Sequence, residues 1–128
     1  MARAFLVGRI LVGCFYLQGA FQHFTGVGRL SRQAAAHGVP APELAVIVAG
    51  LLLLVAGLSF LLGLFPRIGV TAAVLFLVPV TLIVHQNDII HFTQNIGLLG
   101  SSLMFLAVPR PWPYSVERQL RLPVRAPV

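Results

Sequence analysis

Charged residues are scarce in this chain, and acidic residues are the scarcest. Only three of its 128 residues are acidic and 9% carry a charge, whereas soluble domains usually contain about a quarter. The mean hydropathy is +0.92, with 58% hydrophobic residues. This composition excludes an ordinary soluble domain and indicates an integral membrane protein, and the length suffices for one domain.

Lysine is absent, so all nine basic residues are arginines. They are scattered between apolar runs and form no continuous basic stripe, which argues against a nucleic-acid partner. A guanidinium can bind a lipid phosphate through two hydrogen bonds, so membrane lipids are the expected partners, with Arg9, Arg67 and Arg110 as lipid or anion contacts. Arg9 is expected to extend to the headgroups, and an anionic partner inside the bundle is the alternative.

Cysteine is also nearly absent. Cys14 stands alone, which excludes an intramolecular disulfide, a cysteine-rich metal site and a self-contained disulfide-exchange enzyme. Residues 11–14 look like a lipoprotein cleavage site, but Arg9 interrupts the short apolar run before them. We therefore interpret residues 4–24 as a retained transmembrane helix rather than a signal peptide.

Long apolar runs dominate the chain. Four of them approach the roughly 20 residues that a spanning helix needs, and they cover residues 4–24, 43–65, 68–84 and 92–108. They predict an all-α membrane protein with a four-transmembrane-helix bundle in residues 1–108, followed by a basic, proline-rich cytoplasmic tail in residues 109–128. The tail is expected either to rest on anionic headgroups or to be solvated. Pro79 should kink the third helix, and residues 30–37 should form a short interfacial helix.

The arginines also predict an orientation. With four spans, both termini and the second connection lie on one side, which then carries seven arginines against two on the other. Because positively charged loops stay inside, both termini are expected in the cytoplasm. The predicted location is the bacterial inner membrane, crossed several times.

Polar side chains concentrate between the third and fourth runs, in residues 85–95. This stretch holds two of the four histidines and one of the three acids. If it is helical, residues three and four apart share one face, and ionisable groups at such a place in a membrane bundle indicate a functional site. The predicted topology puts these groups on the outer side together with the end of the first helix. The candidate ligand-binding residues are His23, His85, Asp88, His91, Asn95, Gln22 and Gln94.

Three interpretations of this cluster remain open. A quinone needs hydrogen-bond donors and, during quinol oxidation, a proton acceptor, which histidine supplies while Asp88 orients a ring. A metal or haem would use the same histidines, but His85 and His91 are six residues apart, which is not a recognised ligand spacing. No metal site is therefore predicted, and quinone is preferred over haem or metal. The third interpretation is structural, with polar helix ends that hydrogen-bond one another.

Several motifs resemble the DoxX family of small four-helix membrane proteins. They are Gly8–Leu11, Gly19–Phe24, Gly38–Pro40, Gly63–Arg67 and Gln94–Gly100, and together they cover roughly residues 4–108. The resemblance implies a four-helix bundle with a link to redox chemistry, since the family is named for a subunit of a thiosulfate:quinone oxidoreductase. Other members are accessory proteins of membrane oxidoreductase complexes or of cofactor maturation, and distant relatives in animals assist receptor assembly. His23 and Asn95 match recurring family positions, and no catalytic residues can be transferred.

The resulting hypothesis is a quinone-linked subunit or accessory of a membrane redox system, with a membrane or periplasmic redox partner. On its own the chain is not expected to be an enzyme, and a homo-oligomer is an open option. The rival hypothesis is a non-enzymatic assembly factor or scaffold that uses small residues such as Ala45, Ala49, Gly97 and Ser101 for helix contacts. A channel is disfavoured because the middles of the second to fourth helices are almost free of polar residues.

Overall fold

In the computed structural model, residues 1–120 are described, and every regular element in that range is helical. Two of the seven arginines that predict the orientation, Arg121 and Arg125, lie outside this range. The helices are, in chain order, α1 Ala2–Thr25, α2 Val27–Ala36, α3 Pro42–Leu62, α4 Pro66–Pro79 with a π turn Val80–Val84, α5 Ile89–Met104 with a 3₁₀ turn Phe105–Ala107, and α6 Val116–Gln119.

Four of these helices, α1, α3, α4 with its π turn and α5 with its 3₁₀ turn, are long and apolar enough to span a membrane. The predicted four-helix membrane bundle is confirmed. The spans expected from the sequence lie within three residues of the observed ends. Which end of the bundle faces the cytoplasm stays a prediction.

The connection between α3 and α4 is a tight turn that makes these helices antiparallel neighbours. Gly63 ends α3 in the left-handed region (φ 69°), and Pro66 starts α4 where its missing N–H costs nothing. The hydroxyl of Ser59 donates to the Leu64 carbonyl at 2.6 Å. These local preferences fix the turn, so α4 returns along α3.

The core lies where α1 crosses α3. A Cβ added at Gly13 would lie 3.0 Å from the Leu61 backbone nitrogen, and one at Gly57 would lie 2.7 Å from the Leu17 side chain. The two glycines thus let the helices approach closely. A buried hydrogen bond of 2.6 Å between the hydroxyls of Tyr16 and Ser102 joins α1 to α5.

Pro79 marks a change of helix type. The α-helix passes directly into the π turn after this residue, because proline supplies no N–H and crowds the preceding turn. The sequence predicts a kink here, and the structure shows a wider turn that carries the chain to His85. Such π turns are frequent at functional sites.

The C-terminal segment packs part of its length against the bundle. Residues 109–120 fold against the bundle end that also holds the N-terminus and the α3–α4 turn, which we call the terminal end. Trp112 and Ser115 are completely buried, and Glu117 is 3% exposed. Glu117 also forms an ion pair with Arg110. The described part of the predicted tail is therefore anchored to the bundle through these residues, and its contact with headgroups stays a prediction.

Arg9 closes the terminal end. It is 1% exposed, so the expectation that it extends to the headgroups is wrong. Its guanidinium donates to the carbonyl oxygens of Pro113 at 3.2 Å and Tyr114 at 2.9 Å, and lies 5.8 Å from the centre of the Trp112 ring. The chain folds back over Arg9 because a buried guanidinium needs acceptors. Arg67 is exposed at the start of α4, and its contact with lipid stays a prediction.

Candidate functional site

The opposite end of the bundle, which we call the histidine end, is where α1 ends and α5 begins. The turn His85–Asp88 separates the π turn from α5, so residues 85–95 are not one continuous helix as the pattern suggested. Asp88 is the N-cap of α5, and its carboxylate accepts from the His91 backbone N–H at 3.3 Å. A side-chain oxygen at this position satisfies a free backbone N–H, which explains why the helix starts there.

The turn brings His85, Asp88 and His91 together. The two imidazole rings stack with centroids 4.9 Å apart and planes inclined by 17°, and the Asp88 carboxylate lies 2.5 Å from Nδ1 of His91. One potential ligand atom from each residue lies within 4.8 Å of the others. The six-residue spacing of His85 and His91 does not keep them apart, because these residues cross a turn instead of following one helix.

Electrostatics within this cluster favour a charged aspartate and a neutral histidine. Hydrogen bonding from the His91 side chain, followed by its backbone N–H, lowers the pKa of Asp88. Burial is the first cause that lowers the pKa of His85, and the neighbouring His91 and His37 lower it further against the opposing effect of Asp88. At neutral pH the cluster therefore contains a carboxylate beside an uncharged imidazole.

His23 lies near the end of α1, across from this turn. Its Nδ1 is 2.8 Å from the Gly19 carbonyl oxygen, and a carbonyl can only accept, so Nδ1 carries the proton and a neutral ring has Nε2 as an acceptor. The ring edge meets Phe76 at a centroid distance of 5.6 Å. A Cβ at Gly50 of α3 would lie 3.1 Å from the His23 Cβ, so this glycine makes room for the histidine.

Two cavities meet at the histidine end. One, of about 380 Å³, lies among α1, α4 and α5, and we call it the polar cavity because amides and imidazoles line it. The other, of about 340 Å³, lies among α2, α3 and α4 and is lined mostly by aliphatic side chains, so we call it the apolar cavity. Four residues line both cavities: His23, Phe76, Val80 and His85.

The structure places six of the seven candidate residues on the wall of the polar cavity: His23, His85, His91, Asn95, Gln22 and Gln94. Asp88 lines neither cavity. Its carboxylate instead forms a hydrogen bond with Nδ1 of His91, and this bond orients the His91 ring. Gln18, one turn before Gln22 on α1, completes the amide lining.

The apolar cavity was missed by the sequence reasoning. Its walls include Leu30 and Ala34 of α2, Ala45 and Ala49 of α3, and Pro79. Two signals were present in the sequence, namely an amphipathic segment at residues 30–37 and a proline within an apolar run. The spacing of Ala45 and Ala49 was interpreted as a helix-packing motif, and the structure shows that both residues border this cavity.

Comparison with known proteins gives one match. Residues 4–86 match the DoxX family model, and no match was found among curated proteins or solved structures. The matched range includes His23 and His85 and ends before Asp88, His91 and Asn95. Because it covers more than half of the chain, this four-helix membrane protein belongs to the DoxX family.

Proposed function

We propose that the histidine end binds a quinone, with its headgroup in the polar cavity and its isoprenoid chain in the apolar cavity. The observation that carries this proposal is the wall that the cavities share at His23 and His85. A ligand that fits both must be polar at one end and apolar at the other. Each volume lies within the range of about 300–1,000 Å³ that is typical of ligand sites.

The polar groups match the chemistry of a quinol and a quinone. The side-chain amides of Gln22, Gln94 and Asn95 offer N–H donors, which a quinone carbonyl needs. In His23 and His91, Nδ1 is occupied by Gly19 and Asp88 respectively, so Nε2 is the acceptor in the neutral ring. Such a nitrogen can accept the hydrogen bond, and then the proton, of a quinol hydroxyl.

In the proposed reaction this chain accepts the protons of the quinol, and a partner protein accepts the electrons. Oxidation of one quinol to the quinone releases two protons and two electrons. The protons pass to the histidines and then to water at the exposed side of His91, which is 55% exposed. The electrons pass to a redox protein bound to this chain, so the DoxX-family chain acts as a quinone-binding subunit or accessory. In this proposal the histidine end lies on the outer face of a bacterial inner membrane.

The test is quinone binding to the purified protein in mild detergent. Native mass spectrometry first shows whether a quinone mass is retained, and titration with a short-chain quinone then gives the affinity. His23→Ala and His91→Ala each remove one hydrogen bond, so we expect binding to weaken about five- to tenfold. His37→Ala is the matched control, because His37 lies at the same end but lines neither cavity. Unchanged affinity in both test variants would refute the site.

A second candidate function, an assembly factor, is favoured by one feature of α5. Only 11% of its span is buried against 39% for α3, and a Cβ added at Gly97 or Gly100 meets nothing within 4 Å. This open face of small residues suits close packing against another membrane helix. Gly97→Leu should then remove a dimer or a co-purified partner from the native mass spectrum, while Ile96→Leu on the same helix and His23→Ala preserve it. Complexes that persist in Gly97→Leu would show that this face of α5 does not bind the partner helix.

A further inference from the structure

We infer that His85, Asp88 and His91 form a binding site for a divalent transition-metal ion at the start of α5. The family match ends before two of these residues, and the site does not depend on quinone binding. It rests on the convergence of two imidazoles and one carboxylate on a single turn.

The donor set selects the class of metal. Imidazole nitrogens suit Zn²⁺, Cu²⁺, Ni²⁺ and Fe²⁺, whereas Mg²⁺ and Ca²⁺ prefer all-oxygen sites. Two histidines and one carboxylate are a recurring set for ions that keep at least one position open to water or a substrate. We therefore take Zn²⁺ as the test ion.

The distances fit after a small adjustment. Tetrahedral ligands at Zn–N and Zn–O distances of 2.0–2.1 Å lie about 3.4 Å apart. The three ligand atoms here lie within 4.8 Å of one another, so the widest gap must close by at most about 1.4 Å, and rotation of the side chains would have to supply this. The Asp88 oxygen and His91 Nδ1 are closer than this, at 2.5 Å, and separate slightly when the ion replaces the proton between them.

The surroundings leave the cluster accessible. The side chains of His91 and Asp88 are 55% and 44% exposed, so an ion can enter from water and retain water ligands. His85 and His91 also line the polar cavity, which places the metal beside it. An ion held by residues on both sides of the turn would fix the turn and the start of α5 together.

Zinc titration of the full chain tests the inference. The protein, with any affinity tag removed, is stripped with a chelator in mild detergent and titrated by isothermal calorimetry. We expect one Zn²⁺ per chain, and a loss of affinity of about tenfold or more in His85→Gln and His91→Gln. Asp88→Asn should have a similar effect, and it keeps the helix cap because asparagine caps as well as aspartate. Asp88→Asn therefore still tests the metal site if a histidine variant folds poorly.

Two other histidines of the same end are the controls. His37→Gln should leave zinc affinity within about twofold, because His37 is outside the cluster. His23→Gln should also keep zinc binding while it weakens quinone binding, so a failure of the quinone site can be told from a failure of the metal site, although both use His91. Absence of saturable binding in the unmodified chain would overturn the inference. So would equal losses in the His37→Gln control, because zinc would then bind to scattered histidines.

Discussion

The polar side chains at the two ends of the bundle differ in their burial and in their hydrogen bonding. At the terminal end, the buried guanidinium of Arg9 donates to two backbone carbonyls and is covered by Trp112. At the histidine end, His23 and His91 use Nδ1 in hydrogen bonds within the chain, and their rings border a cavity. Enclosure with two of the three guanidinium nitrogens bonded to carbonyls of the same chain indicates a structural role. An open wall with spare hydrogen-bonding capacity indicates a binding role.

The largest expected effect comes from removing the guanidinium at the terminal end. Arg9→Leu leaves the carbonyls of Pro113 and Tyr114 without their donor, which should lower the free energy of unfolding by about 3 kcal/mol. The single tryptophan, Trp112, should shift its emission to longer wavelength as its cover loosens, while quinone binding at the other end is unchanged. Arg3→Leu, an exposed change on the same helix, is the control. Unaltered Trp112 emission in Arg9→Leu would show that Arg9 does not hold the segment.

A somewhat smaller effect is expected at the turn beneath the C-terminal segment. A Cβ at Gly63 would lie 2.5 Å from the Ser115 Cβ and 2.8 Å from Arg9 Nη1, at a φ of +69°. Gly63→Ala should therefore lower the free energy of unfolding by about 2 kcal/mol, measured by thermal denaturation in detergent. Gly97→Ala is the matched control, since a Cβ there meets open space. Equal stability of the two variants would contradict the close packing at the terminal end.

At the histidine end a comparable change should alter binding instead of stability. Ala49→Phe places a ring in the apolar cavity of about 340 Å³ and competes with the quinone chain. Quinone affinity should fall about tenfold, or about 1.4 kcal/mol, with the melting temperature unchanged or raised. The control is Leu51→Phe, because Leu51 is half exposed and outside both cavities. Normal quinone affinity in Ala49→Phe would show that the isoprenoid chain does not occupy the apolar cavity.

The smallest expected effect lies between the two ends. Ser102→Ala leaves the buried Tyr16 hydroxyl without its partner at 2.6 Å, which should lower the free energy of unfolding by about 1 kcal/mol. The exposed neighbour variant Ser101→Ala should stay within about 0.5 kcal/mol of the parent. Neither Trp112 emission nor quinone affinity should respond. A change in Trp112 emission alone, or in quinone affinity alone, would mean that the Tyr16–Ser102 bond supports only the corresponding end.

The four spans could be predicted from the sequence because each depends on a local property, the length of an apolar run. Six residues of the polar cavity could also be anticipated, since their order along antiparallel helices places them at one end. The cover over Arg9 could not, because it depends on a contact between residues more than a hundred positions apart. His85 and His91 were also expected at one site, but the stacking of their rings was not, since the pattern was interpreted as a helix where the chain makes a turn.

The claim that the histidine end is the binding end is tested most directly by photo-crosslinking. A photoreactive quinone analogue is added to the protein in mild detergent, and labelled peptides are mapped with and without excess unlabelled quinone. Labelling that unlabelled quinone suppresses should fall on the walls of the two cavities, on peptides that contain His23, Ala49 or His85. Suppressible labelling at the terminal end around Trp112, or labelling that quinone does not suppress anywhere, would contradict the account.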